Sequence, residues 1–399
     1  MNKTIWVINQ FAGHLESGWG ERHFLLSKYW IENGYNVMII SGSYNHVFKN
    51  LPYAPQKFNY EIIEQRKFCW VKVPKYKAES IMRFWSMLVF AFRCLTLDKK
   101  QLGKPDVILV SSMPIFPILS ALFLKLKFKN KLLFEIRDLW PESLIQIGKI
   151  SRYHPVVLFF RIFEWIGYKF SDKIVTLLPN SFEYFNRFSV KSNKVVVIPN
   201  GIDINSENYE LDKNLIDKLS NQNFNIIYTG TIGFPNCIDL LVESATILKY
   251  NKKLHFFIIG EGHQKENCID LAKELSNFTF IDKVPKSQIQ NILKFADVCF
   301  IGWHNLELYK HGVSANKYFD YMLAGKPILD SNNFIKDPVE LSGCGIIVKP
   351  DSAKAIAEGI EHLYAMEEAE RNEMGQKGKD FVTKHHNIKH LASLYSELF

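Results

Sequence analysis

Asn225-Ile226-Ile227-Tyr228-Thr229-Gly230-Thr231-Ile232-Gly233-Phe234-Pro235-Asn236 begins as an apolar run and breaks into a glycine-bearing loop. A helical pattern over Asp239–Lys249 follows. Strand, tight loop and helix in that order form the opening unit of an open α/β sheet. Glycines here let the backbone approach a ligand closely, and a helix start favours an anion. A plain turn is the alternative reading of the same residues. The N-terminal half opens the same way: Thr4–Asn9 reads as a strand, and Gly13-His14-Leu15-Glu16-Ser17-Gly18-Trp19-Gly20-Glu21-Arg22 leads into a helical stretch over Gly20–Asn33, ended by Gly34.

Outward from these two units the rhythm continues. Further strands are expected at Asn36–Ser41, Cys69–Val73, Val107–Val110, Leu132–Ile136, Lys173–Thr176 and Val195–Ile198, then at His255–Ile259, Thr279–Ile281, Val298–Ile301, Pro327–Leu329 and Gly345–Val348. Helical patterns lie between them, among them Phe116–Leu126, Gln264–Leu275, Ser287–Phe295, Ala315–Leu323 and Ala353–Ala365. Strands alternating with helices predict parallel sheets. The fold class is therefore α/β, with two doubly wound Rossmann-like domains and a cleft between them. The turn signal Pro199-Asn200-Gly201-Ile202-Asp203 sets the join. Residues 1–198 form the first domain and 199–384 the second, and a helix at about 385–399 packs back on the first.

The chain has 399 residues, 49 Lys+Arg and 41 Asp+Glu, for a net charge of +8. That sum hides a division. Residues 1–198 hold 28 basic and 14 acidic side chains, net +14, whereas residues 199–399 hold 21 and 27, net −6. Hydrophobic content of 47% and charged content of 23% exclude a disordered, collagen-like or disulfide-stapled chain. The six cysteines form no CxxC pair and read as buried free thiols in a reducing cytosol. The N-terminal apolar run is too short for a signal peptide. No uncharged run reaches the ~20 residues that span a bilayer. Ile81–Leu95 and Val156–Ile166 nevertheless mix large aromatics with Arg, and Lys125, Lys127, Lys129 and Lys131 lie between them. Each segment is either a buried core helix or a helix lying in the membrane interface.

Open α/β sheets bind ligands at the carboxyl ends of their strands. Two further places there carry chemistry. In Phe134-Glu135-Ile136-Arg137-Asp138-Leu139-Trp140-Pro141-Glu142, four charged residues crowd the end of an apolar strand, either as an ion-pair cluster or facing a substrate. In Lys310-His311-Gly312-Val313-Ser314-Ala315-Asn316-Lys317-Tyr318-Phe319-Asp320, a loop opens a helix that carries Lys317 and Asp320 three residues apart on one face. A lysine near a helix start suits a diphosphate, and a carboxylate suits a sugar hydroxyl. GxGxxG, Walker A, HExxH and clustered Cys/His ligands are all absent, and no two aspartates stand two residues apart. His385-His386 reads as surface. Beyond net charge, nothing points to nucleic acid.

Four motifs in order carry a family resemblance: Ser17-Gly18-Trp19-Gly20-Glu21-Arg22-His23, Arg137-Asp138-Leu139-Trp140-Pro141-Glu142-Ser143, Ile198-Pro199-Asn200-Gly201-Ile202-Asp203 and Asn316-Lys317-Tyr318-Phe319-Asp320-Tyr321-Met322-Leu323-Ala324-Gly325-Lys326-Pro327. Over nearly its whole length the chain resembles the GT-B glycosyltransferases of family 4. Within them it is similar to bacterial O-antigen and capsule transferases of N-acetylated amino sugars such as N-acetylfucosamine. The resemblance implies an N-terminal acceptor domain, a C-terminal nucleotide-sugar domain, and transfer with retention and without a metal or other cofactor. Three departures stand out. The family's paired glutamates, with seven residues between them, are replaced by Gly312 and Asp320. Thr231 and Asn236 stand where basic residues commonly hold phosphates, which makes Lys317 the candidate for that charge. Arg137 stands where many members carry a histidine.

On this reading the enzyme moves a sugar from a UDP-sugar, its substrate, to a lipid-linked (polyprenyl diphosphate) saccharide on the cytoplasmic face of the inner membrane. Its partners are the nucleotide-sugar donor, that acceptor and an anionic membrane surface, with no nucleic acid. Lys317 and the N–H groups near Gly18, Gly20, Gly230, Thr231 and Gly233 hold the diphosphate, with Ser314 and Asn316 beside them. Asp320 binds donor hydroxyls, and Glu261 and Val284 lie at the nucleobase. Asp138 and Arg137 orient the acceptor or the transferred sugar. The competing readings are a nucleotide-sugar 2-epimerase or hydrolase of the same fold, and a non-catalytic membrane-bound sugar-nucleotide binding protein.

Overall fold

Among the described residues, fourteen strands fall into two sheets. The structure, a computed structural model, describes residues 3–77, 80–205 and 209–399. It resolves into two compact units, Met1–Asn200 with Ile388–Phe399, and Gly201–Asn387.

The sheet of the first unit holds β1 (Thr4–Ile8), β2 (Asn36–Gly42), β3 (Phe58–Ile63), β4 (Arg66–Val71), β5 (Val107–Ser111), β6 (Lys131–Ile136), β7 (Lys173–Thr176) and β8 (Val195–Val197). Their order is β3-β4-β2-β1-β5-β6-β7-β8. Every neighbouring pair is parallel except β3 and β4. The central strands are continuous apolar runs because helices cover both of their faces. On one face lie α1 (Arg22–Glu32) and the C-terminal helix Ile388–Ser396. Trp30 of α1 packs edge-on to Tyr395 and Phe399, and its indole N–H donates to the Ala392 carbonyl at 3.0 Å. On the other face run α2 (Ile81–Cys94), α3 (Pro117–Phe128) and α4 (Pro155–Phe170), side by side in that order. Phe116 joins them, with its ring 5.2 Å from Phe84 and 5.3 Å from Phe160.

β3 is an addition to the expected strands. It pairs antiparallel with β4 through a two-residue turn in which Glu64 and Gln65 have φ of +45° and +69°. Turns of that kind usually carry Asn-Gly, so Glu-Gln gave no hairpin signal.

The second sheet holds β9 (Phe224–Thr229), β10 (Leu254–Ile259), β11 (Phe278–Ile281), β12 (Val298–Gly302), β13 (Ile328–Ser331) and β14 (Gly345–Val348). The order is β11-β10-β9-β12-β13-β14, parallel throughout. Ile226, Tyr228, Phe256, Ile258 and Phe300 form its core with Leu241 and Ala245 of α5 (Ile238–Ile247). The helix expected over Ala315–Leu323 is α6 (Asn316–Leu323). Both sheets are thus of the doubly wound kind that the sequence predicts.

One surface reading is corrected. His385 is exposed, but His386 is buried, and its ring stacks on Phe319 with centroids 4.3 Å apart. All six cysteines are buried and free. Among the described residues, no helix is long and apolar enough to cross a membrane.

Candidate active site

In the second unit the site is built around the loop that leaves β9. Gly230 has φ +148° and Gly260, after β10, has φ +157°. A Cβ on Gly260 would stand 1.8 Å from the Gly230 carbonyl oxygen, so the two loops touch backbone to backbone. That contact uses the N–H of Gly230, which the sequence assigns to a ligand, and the N–H of Ile232 beside it. Gly230 N–H donates to the Ile259 carbonyl and Ile232 N–H to the Glu261 carbonyl, each at 2.9 Å. Gly230 therefore offers no N–H to a diphosphate in this conformation. Among the described residues, the N–H groups of Thr231 and Gly233 have no hydrogen-bond partner. The start of α5 beyond them has no side-chain cap, because its N-cap is Cys237 at φ +52°.

Lys317, in the first turn of α6, reaches this loop. Its ammonium donates to the Tyr228 hydroxyl at 3.2 Å and to the side-chain oxygen of Asn236, and lies 4.7 Å from the centre of the Tyr228 ring. Tyr228 in turn donates to the Thr231 carbonyl at 2.6 Å. One phenol thus ties the cation to the loop with the unpartnered N–H groups. Burial pushes the Lys317 ammonium down to about 8, so it is charged at neutral pH and loses its proton as pH rises past that value.

Asp320 is on the same helix but has a different set of partners. It is buried, pairs with Lys286 through one carboxylate oxygen, and accepts from the Gln290 amide through its backbone carbonyl at 3.0 Å. Ser314 is half-buried and Asn316 exposed at the head of α6. Glu261 is exposed and pairs with Lys265 at 2.6 Å, and Val284 is half-buried after β11. Sequence reasoning missed a second prop of the loop. The His304 ring stacks on Phe234 with centroids 4.0 Å apart, and its Nδ1 lies 2.5 Å from Asp351 Oδ1. A histidine two residues after β12 is the available signal.

In the first unit the four charged residues around the end of β6 separate into two groups. Glu135 points into the protein and is fully buried. It receives Arg22 Nε at 3.2 Å, the Ser111 hydroxyl at 2.7 Å and the Tyr395 hydroxyl, and His23 Nε2 faces it at 3.2 Å. Burial works to raise the Glu135 carboxyl, but Arg22, His23 and Arg137 outweigh it and hold it well below the carboxylate range. Burial lowers His23, so its ring is neutral near pH 7. The Asn9 amide lies 3.2 Å from His23 Nδ1, which places the ring proton on Nε2, toward Glu135. Arg22 also donates to the carbonyls of Pro199 and Ile198 at 2.8 and 2.9 Å, to Asn200 Oδ1 and to the Tyr395 hydroxyl. All five N–H donors of its guanidinium are therefore engaged. Glu142 pairs with Arg161 at 3.0 Å.

Arg137 and Asp138 form the second group. Arg137 is half-buried and Asp138 is exposed, and Arg137 N–H is anchored on the Ser112 hydroxyl at 3.1 Å. The first loop closes on itself. Gly13 N–H donates to Gly20 and Gly18 N–H to Leu15, each at 3.1 Å, and a Cβ on Gly20 would stand 2.1 Å from the Phe11 carbonyl oxygen. The Gly18 N–H is thus engaged within the loop rather than presented to an anion.

Residues 20–206 match the model of Glycosyltransferase Family 4, and residues 212–381 match that of Glycosyl transferases group 1. The sequence matches no curated protein. Solved structures share the architecture from end to end at low identity. Sucrose-phosphate synthase from Thermosynechococcus elongatus is 14% identical, with a TM-score of 0.75 over 100% of this chain and 98% of its own. HepE of Anabaena, solved with UDP and glucose, is 12% identical, with a TM-score of 0.67 over 100% and 99%. WaaG, a glycosyltransferase involved in lipopolysaccharide biosynthesis, is 11% identical, with a TM-score of 0.68 over 99% of both chains. With a family 4 match on one unit, a group 1 match on the other and this architecture throughout, the chain is a GT-B glycosyltransferase of the group 1/family 4 type.

Proposed function

We propose that this glycosyltransferase moves an N-acetylated amino sugar from a UDP-sugar to a lipid-linked saccharide, with retention and without a bound metal, in assembly of a surface polysaccharide such as O-antigen or capsule. The observation that carries the donor side is Lys317, held by Tyr228 and Asn236 beside the unpartnered N–H groups of Thr231 and Gly233. A cation, two backbone donors and an uncapped helix start are the groups that stabilise a departing diphosphate. The solution of HepE with UDP and glucose supports UDP as the carrier, and the involvement of WaaG in lipopolysaccharide biosynthesis supports a glycolipid acceptor. Arg137 and Asp138 orient the acceptor or the transferred sugar. For Asp320 to bind a ribose hydroxyl, its pair with Lys286 must open or be shared.

The test is product analysis with a panel of UDP-sugars and polyprenyl-diphosphate-linked acceptors in excess EDTA. Acceptor-dependent product with the donor's anomeric configuration is expected. Donor consumed without acceptor would indicate a hydrolase or epimerase, and strict dependence on restored Mg²⁺ or Mn²⁺ would remove the metal-independent mechanism.

A pH dependence follows from Lys317. An anion binds the protonated lysine, so UDP affinity should hold up to about pH 8 and then fall by up to ~10-fold per pH unit. Calorimetric titration between pH 6.5 and 9.5 measures this, and Lys317→Arg should flatten the decline because guanidinium stays charged. The same decline in Lys317→Arg would assign it to another group.

A further inference from the structure

The outward faces of α2, α3 and α4 are apolar where a water-facing layer of helices normally carries charge. Trp85 and Phe92 of α2 are 52% and 64% exposed, Phe123 and Leu126 of α3 are 49% and 79%, and Ile162 and Trp165 of α4 are 55% and 44%. Spacings of seven, three and three residues place each pair on one side of its helix. The inward sides are apolar as well, with Phe90, Leu124 and Phe160 buried. The sequence offered a buried helix or an interfacial one for two of these segments. The structure gives each a buried side and an exposed apolar side, and adds α3 between them.

Charge indicates what covers this face. α2 and α3 contain no acidic residue, and the single one on α4, Glu164, is fully buried. The same helices carry Arg83, Arg93, Lys125, Lys127, Arg161 and Lys169. Lys169 lies 4.5 Å over the ring of Trp165. Beside the end of α2 is an open pocket of about 470 Å³ lined by Lys57, Val89, Phe92 and Arg93, two cations next to two apolar side chains. Lys125 and Arg161 are answered by Asp172 and Glu142, at 2.7 and 3.0 Å, whereas among the described residues Arg93, Lys127 and Lys169 have no carboxylate partner, so a second copy of the chain docking through this face would bring these cations against one another. An anionic lipid answers both features, because its phosphate meets the basic side chains and its acyl region accepts the aromatics. The helices have 14, 12 and 16 residues, too short to cross a bilayer.

We infer that the face formed by α2, α3 and α4 docks flat into the headgroup layer of an anionic phospholipid membrane, with Lys57 and Arg93 taking a lipid phosphate. This deepens the lipid-linked acceptor reading by naming the surface that brings the enzyme to its acceptor, but docking is measured without any donor or acceptor. The experiment is co-sedimentation of the full chain with vesicles of phosphatidylcholine, with and without one third phosphatidylglycerol, for the wild type and for a Phe92→Gln/Phe123→Gln/Trp165→Gln variant whose melting curve confirms folding. A second variant, Lys57→Glu/Arg93→Glu, probes the phosphate pocket. The wild type is expected to bind the anionic vesicles, more weakly at high salt, and both variants to lose roughly 10-fold or more of that binding. Wild-type protein that ignores anionic vesicles, or folded variants that bind them as tightly, would overturn the inference. A wild-type dimer that the triple variant fails to form, with no vesicle binding, would assign the face to a second copy instead. If UDP binding fails while vesicle binding stands, only the transferase reading is lost.

Discussion

Lys317→Ala is expected to lower kcat/KM for sugar transfer by roughly 10²-fold or more, about 2.7 kcal/mol of lost transition-state stabilisation. The size follows from where charge develops. As the glycosidic bond breaks, the departing diphosphate gains negative charge, and Lys317 is the cation that reaches the β9–α5 loop through Tyr228 and Asn236. Removing it takes that cation away from the backbone N–H groups of Thr231 and Gly233 and from the start of α5. Stability should move the other way. Burial depresses the Lys317 pKa, so its charged form is less favourable in the folded than in the unfolded chain below pH 8. Lys317→Ala should therefore melt no lower than the wild type at pH 7. Steady-state kinetics beside a melting curve separates the two effects. A variant with near-normal turnover would remove Lys317 from the diphosphate, and one that unfolds would make the lysine structural.

The largest stability effect is expected at Arg22→Ala, which strands Glu135 as a buried charge. Breaking such a pair from one side typically costs about 3–5 kcal/mol, to be read by chemical denaturation at pH 7. The sign of the pH dependence is a sharper check. In the wild type Glu135 lies well below its ordinary pKa, so its contribution is full above the unfolded carboxyl value of roughly 4.3 and is lost as pH falls through the folded value. Without Arg22, burial is less opposed and the carboxyl is raised, so the variant's deficit should shrink as pH falls from 7 toward 5. Glu135→Gln in the Arg22→Ala background should recover part of the loss. A deficit that is flat with pH and unaffected by Glu135→Gln would mean that Arg22 acts through its bonds to Ile198 and Pro199 alone.

These expectations draw on features that were unequally legible in the sequence. Parallel strands covered on both faces are unbroken apolar runs, so Val107–Val110, Lys173–Thr176 and Val298–Ile301 could be read almost to the residue. β3 could not, because its turn uses Glu-Gln where the usual signal is a glycine. Site positions follow from the rule that ligands gather at strand ends, and Lys317 could be named by that logic. The use of each N–H could not. Whether Gly230 donates to a ligand or to Ile259 depends on Gly260, thirty residues away, pressing against it. The charged run after β6 showed the same limit. The partners that bury Glu135, Arg22 and Tyr395, lie 113 and 260 residues distant, beyond the reach of any local pattern. His386 was misread because its neighbours in sequence are charged, while its neighbour in space is Phe319.

The membership of Ile388–Phe399 in the first unit has a consequence for how the protein is made. Tyr395 closes the Glu135 cluster, and Phe399 seals Trp30. A ribosome delivers both only after the entire second unit has been synthesised. During translation the first two hundred residues therefore wait with Glu135 lacking one of its donors and one side of α1 uncovered. The second unit is contiguous from Gly201 to Asn387 and meets no such delay. The order of completion in the cell is thus inverted relative to the order of synthesis, and the half-made N-terminal unit is the stage at which a chaperone or a protease has most to grip.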